Sequence, residues 1–149
     1  MPRHTEDPLI GVVVVTHDQA AISLVNGAFA IVGQLPAVTA VCVGEGEAFA
    51  RIVEKISRGC EEVDRGGGVL LLVDVHGSTP FHAAMSMLDG TRPAEVLCGV
   101  NLPMLIKLAT AERRLCPPVM LAEELRDVGR RSIRLGSELT GKVAMGETR

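Results

Sequence analysis

His17 stands just beyond an apolar run, residues 9–15, and Asp74 directly follows another, residues 69–73. An imidazole and a carboxylate at the ends of two such runs are the parts of a nucleophilic site. A carboxylate facing one ring nitrogen fixes the proton there and leaves the other nitrogen with its lone pair exposed. In that role Asp74 orients His17 and stabilises the charge the ring gains on accepting an electrophile. A purely structural hydrogen bond between a loop histidine and a strand-end aspartate is the plainer alternative. Downstream, His76-Gly77-Ser78-Thr79-Pro80 sets a glycine and two hydroxyls before a proline suited to a helix start. That spacing predicts Thr79 as N-cap and Pro80 as the first helical residue. Free N–H groups and the positive dipole end would then face a phosphate, with Thr79 or Ser78 holding one of its oxygens.

The same side chains admit a metal reading, in which His17, Asp74, His76 and His82 converge on zinc. No H-E-x-x-H pattern or cysteine pairing supports it, so neither metal nor cofactor is expected. A receiver-type aspartyl phosphate site needs an acidic pair after the first strand, where this chain has Thr16-His17-Asp18. Asp18 reads instead as a helix N-cap or a charge near a helix dipole.

Positioning these residues falls to alternating apolar segments. Residues 9–15 lack any polar alternate and suit a strand buried on both faces. Residues 38–43, 69–73 and 95–98 read as three more short strands. Between them apolar residues recur at helical spacing: Ile22, Val25, Phe29 and Val32 before a stop at Gly33, and Phe49, Ile52, Val53, Ile56 and Cys60. Phe81, Ala84, Met85 and Leu88 follow Pro80, another helix begins at Pro103, and Leu121, Leu125 and Val128 follow Pro117-Pro118. Residues 132–139 fit either a final strand or a helix end.

Strands alternating with helices imply an α/β fold, doubly wound, with a mostly parallel sheet covered by helices on both faces. In such sheets ligands bind beyond the carboxyl ends of the strands, where strand order reverses. That rule selects the loops 16–18, 44–46, 74–80 and 99–103. With the common order 2-1-3-4, the first and third strands are neighbours and His17 meets Asp74.

Composition sets the outer limits. The chain has 149 residues, 47% hydrophobic and 22% charged, which suits one ordinary core. Residues 1–8 read as a loose arm, 9–140 as a single domain and 141–149 as a flexible tail. A net charge of −3 without a basic block excludes a nucleic-acid footprint and favours a basic partner. No Trp or Tyr is present to stack bases or flavins. The four cysteines are widely spaced and no signal-peptide or membrane-span pattern appears, which reads as reduced thiols in a cytoplasmic chain.

Three motifs in register carry a resemblance: Ile10-Gly11-Val12-Val13-Val14-Val15-Thr16-His17, Leu72-Val73-Asp74 leading into Gly77-Ser78-Thr79-Pro80-Phe81, and Gly99-Val100-Asn101-Leu102-Pro103-Met104-Leu105. Over roughly residues 9–135 the chain resembles the mannose-type IIA components of the sugar phosphotransferase system. The resemblance implies that His17 accepts a phosphoryl group from the carrier HPr and passes it to a separate IIB component. It implies that Asp74 orients His17, that Thr79 contacts the phosphoryl group with Ser78 and Gly77 beside it, and that Thr16, His76 and Asn101 form the rim. For Asn101 an Asn-x-Pro turn is an equally good structural account. It further implies a homodimer, with residues 132–139 as the candidate for an antiparallel strand exchanged between copies, and membrane contact only through a IIC/IID complex. Two departures stand out. His76 occupies a position usually aromatic, and Ser78 replaces a glycine. A regulatory sensor of phosphorylation state with the same fold, and the phosphotransfer subunit of dihydroxyacetone kinase, which has a related fold, are the rival readings of the chain.

Overall fold

The structure is a computed structural model and describes residues 8–146. The expected arm, except Pro8, and the last three residues of the expected tail lie outside the described residues. Four strands, β1 (Gly11–His17), β2 (Val38–Val43), β3 (Val69–Val73) and β4 (Ala94–Cys98), form one parallel sheet in the order β2-β1-β3-β4. The doubly wound architecture and its strand order are as the sequence implies. β1 and β3 are the inner pair, and every residue of β3 is buried. β4, an edge strand, is only half-buried along its length.

Strand alternation sorts the core into two layers. Val12, Val14, Leu70 and Leu72 point to one face, where α1 (Ala20–Val32), α4 (Leu102–Lys107) and α5 (Pro118–Arg131) cover them. Val13, Val15, Leu71 and Val73 point to the other, under α2 (Phe49–Val63) and α3 (Thr79–Met85). The face that α1 buries is Ala21, Val25 and Ala28, so the expected stripe is rotated by about one residue and Ile22 is exposed. Small residues there let α1 lie close to the apolar Val12–Val15 run of β1. Phe49, expected in the α2 stripe, is likewise exposed, while Ile52, Ile56, Gly59, Cys60 and Val63 form the buried face.

Residues 132–139 form no strand within the described chain. Ser132 caps α5, its hydroxyl donating to the Val128 carbonyl at 2.7 Å, and a short helix α6 (Gly136–Thr140) follows. Among the described residues no strand pairs with the outer edge of β4.

At the amino ends of the strands Arg113 acts as an unanticipated clamp. It is buried, and its guanidinium donates to the carbonyls of Ile10 (2.7 and 3.2 Å), Pro36 (2.8 Å) and Ala37 (3.1 Å). Burial, with the charge of Arg114 adding to it, pulls its pKa down to about 10, so it stays protonated at neutral pH. Replacing Arg113 by Ala strands these carbonyls away from water, and urea unfolding should show a loss of about 3 kcal/mol. Arg113→Lys should recover only part of it, since an ammonium cannot reproduce the planar fork.

Candidate functional site

β1 runs two residues past its last pairing with β3, Val15 opposite Val73, so His17 and Asp74 emerge together at the carboxyl edge. Asp74 donates its own N–H to the Val15 carbonyl at 3.3 Å, which anchors the exit of β3. Its Oδ2 then accepts from the His17 backbone N–H at 2.9 Å and lies 2.8 Å from the ring Nδ1, while its Oδ1 accepts from the Val75 N–H at 2.8 Å. An ionised carboxylate can only accept, so the ring contact requires the proton on Nδ1. Nε2 is left as the lone-pair nitrogen.

Partial burial works against the charge on Asp74, but the His17 backbone N–H and ring, with the Val75 N–H, outweigh it and hold the carboxyl below its ordinary value. A carboxyl depressed on folding contributes stability that is fully present above its unfolded value, near pH 4, and is lost as pH falls through the folded value. Asp74 is therefore ionised at neutral pH. The His17 side chain is 53% exposed, open to a partner rather than sealed in the core.

His17 opens onto a cleft of about 510 Å³ that Asp18, the 44–47 loop, Ile52, Thr79 and Pro80 complete. The wall opposite β3 is the turn after β2. There Glu47 accepts from the Gly44 N–H at 2.6 Å and from Lys55 Nζ at 2.9 Å, and Lys55 also donates to the Cys42 carbonyl. The 44–46 loop was legible as part of the site, but the Glu47–Lys55 brace was not, because no local pattern links a loop carboxylate to the second turn of the following helix.

The phosphate-binding candidates divide. Ser78, not Thr79, is the N-cap of α3: its hydroxyl accepts from the Phe81 N–H at 3.3 Å and donates to the Val75 carbonyl at 2.7 Å. The N–H groups of the first helical turn have no intrahelical partner to lose, so proline fits at the second helical position, where Pro80 stands, and did not fix the boundary. Thr79 is exposed on the cleft beside His17, and its hydroxyl takes no partner among the described residues. Gly77 has a φ of 80°, a left-handed turn that a side chain would strain.

The rim residues are placed differently from expectation. Thr16 is fully buried, since alternation turns it to the face opposite His17, where its hydroxyl accepts from the Ala21 N–H at 2.6 Å. It thereby takes over the capping of α1 expected of Asp18; Gln19 occupies the N-cap position without a side-chain bond. Asn101 caps α4, accepting from the Met104 N–H at 3.2 Å, and faces a separate groove with Gly129 and Ile133. It belongs to the other face of the sheet. His76 is exposed and stands edge-on to Phe81 at 5.1 Å, with His82 against the same ring at 5.2 Å. The imidazoles thus flank Phe81 instead of joining His17, and among the described residues no three His, Cys, Asp or Glu side chains converge as a metal site requires.

The family model described as EIIA-man, PTS system fructose IIA component, matches residues 11–116, a span running from the first residue of β1 through His17 and Asp74. The chain belongs to the EIIA-man family. The family is that of the IIA components of the phosphotransferase system (PTS). A mannose-specific EIIAB component of Escherichia coli K12 is 34% identical over 102 residues, which are 68% of this chain and 32% of that longer protein. A fructose-specific EIIA component of Bacillus subtilis is 28% identical over 135 residues, 91% of this chain and 92% of that one. Among solved structures, the mannose/sorbose-specific IIA subunit from Enterococcus faecalis superposes with a TM-score of 0.74 at 23% identity, covering 95% of this chain and 99% of that subunit. That likeness establishes the shared EIIA fold. Among the described residues no helix is long and apolar enough to cross a membrane.

Proposed function

We propose that this EIIA-man protein is a phosphocarrier that receives a phosphoryl group on His17 Nε2 from HPr and passes it to a IIB component. The observation that carries the reading is the 2.8 Å contact between His17 Nδ1 and Asp74 Oδ2 at the edge of an open cleft. In the transfer the bond from phosphorus to the donor imidazole breaks, its electron pair returns to that ring, and the Nε2 lone pair forms the new N–P bond. The proton stays on Nδ1, and the positive charge gained by the ring lies against the Asp74 carboxylate. No proton needs to move during the step, which is why a fixed tautomer suffices. Thr79, on the cleft with a free hydroxyl, supplies the group that can donate to a phosphoryl oxygen.

The reading places the protein in the cytoplasm, where its partners act, with the membrane reached only through a IIC/IID complex. The open edge of β4 and the exposed side chains of Ile133 and Leu135 support a homodimer in which that segment rearranges against the partner. A monomer in sedimentation at micromolar concentration contradicts that part.

Incubation with phosphoenolpyruvate, enzyme I and HPr should add one phosphoryl group per chain, labile in acid and stable in base. A base-labile or acid-stable product, as carboxyl or hydroxyl phosphorylation would give, contradicts the reading.

A further inference from the structure

The residue after the nucleophile departs from ordinary geometry and chemistry at once. Asp18 has a φ of 51°, and its backbone N–H is fastened to the Val43 carbonyl at 2.8 Å, so the chain turns sharply between β1 and α1 and leaves Asp18 lining the cleft. It is exposed and makes no ion pair among the described residues. Glu47 in the same cleft has its charge offset by Lys55 at 2.9 Å, whereas Glu45, exposed on the loop opposite, makes no ion pair among the described residues and no Lys or Arg lines the cleft itself. A doubly charged phosphoryl group therefore enters a cleft whose nearest sequence neighbour to the nucleophile is an uncompensated carboxylate.

We propose that Asp18 is a specificity-determining residue of the His17 site, repelling small anionic phosphodonors and favouring a protein donor that brings its own cations to the cleft. The proposal rests on the phosphocarrier reading above. A free phosphodonor approaches as a bare anion, and like charge at contact range in water costs enough to slow it several-fold. A protein whose contact face carries Lys or Arg around its phosphoryl group meets the same carboxylate as an attraction, felt mainly in the encounter rate and its salt dependence. Neutrality during transfer is thus supplied by the partner, and phosphoryl flux through His17 is insulated from the pool of small phosphorylated anions.

Phosphoramidate, in which a phosphoryl group is bonded to ammonia and the whole carries one net negative charge, serves as the small donor. Its P–N bond breaks and ammonia leaves with the electron pair as the Nε2 lone pair bonds to phosphorus. Asp18→Asn removes the charge and keeps a residue that accepts a positive φ. The full chain and this variant should be labelled in parallel by phosphoramidate and by phospho-HPr, at low and at high salt. The expected result is crossed. The variant reacts roughly threefold faster with phosphoramidate at low salt and roughly threefold slower with phospho-HPr, both differences shrinking as salt screens them. Asp18→Gly, equally at home at positive φ, should behave the same way. Changes in the same direction with both donors, no change with either, or differences that persist at high salt overturn the proposal. Failure of the unaltered chain to be labelled by either donor is a different result, and overturns the phosphocarrier reading together with this one.

Discussion

Replacing His17 by Ala is expected to reduce phosphoryl uptake from phospho-HPr to zero while the chain stays folded. The side chain is half exposed and its loss removes one hydrogen bond to Asp74, so stability should fall by about 1 kcal/mol or less. Function and fold therefore separate cleanly at this position. Among the described residues the other two histidines, His76 and His82, pack on Phe81 and do not line the cleft. Neither is placed to take over. Residual stoichiometric labelling of His17→Ala, read by intact mass, contradicts the assignment.

The second large effect is expected from Asp74→Asn. All three contacts to this carboxylate come from donors: the His17 N–H, the His17 Nδ1–H and the Val75 N–H. An amide has one acceptor atom, so in either orientation its amino group faces a donor. With the amide nitrogen toward the ring, Nδ1 must become the acceptor, and the proton moves to Nε2. The nucleophilic lone pair is then on the wrong side. Transfer should slow by about 10³–10⁴, the size of effect that the wrong tautomer has in hydrolase triads. A drop of less than tenfold removes Asp74 from the mechanism. The same replacement should also flatten the acid limb of stability, because the carboxyl that titrates below its ordinary value is gone.

How much of this was readable in advance depends on the range of the interaction. β1 and β3 declared themselves because every position in their cores is apolar, which only a strand covered on both faces needs. Once the strand order is 2-1-3-4, the meeting of His17 with Asp74 follows from topology. The inward turn of Thr16 was also available, since period-two alternation from His17 puts its neighbour on the opposite face. The cap of α3 was ambiguous because Ser78 and Thr79 are both competent hydroxyls before Pro80. Asn101 was drawn to the site by its motif, yet its helix covers the Val12–Val14 face, and no residue pattern in a short loop reports which face its helix will cover. Arg113 lay beyond reach for another reason. Its four bonds join carbonyls more than seventy positions away in the chain, and nothing local marks a loop arginine for burial.

The central claim is that Asp74 fixes the proton on Nδ1 and so makes Nε2 of His17 the atom that carries phosphate. Nitrogen-15 and phosphorus-31 NMR of the phosphorylated, histidine-labelled protein reads that atom directly. The account predicts a single phosphohistidine with phosphorus coupled to Nε2 and a protonated Nδ1. Phosphorus coupled to Nδ1, or to the ring of any other histidine, contradicts it.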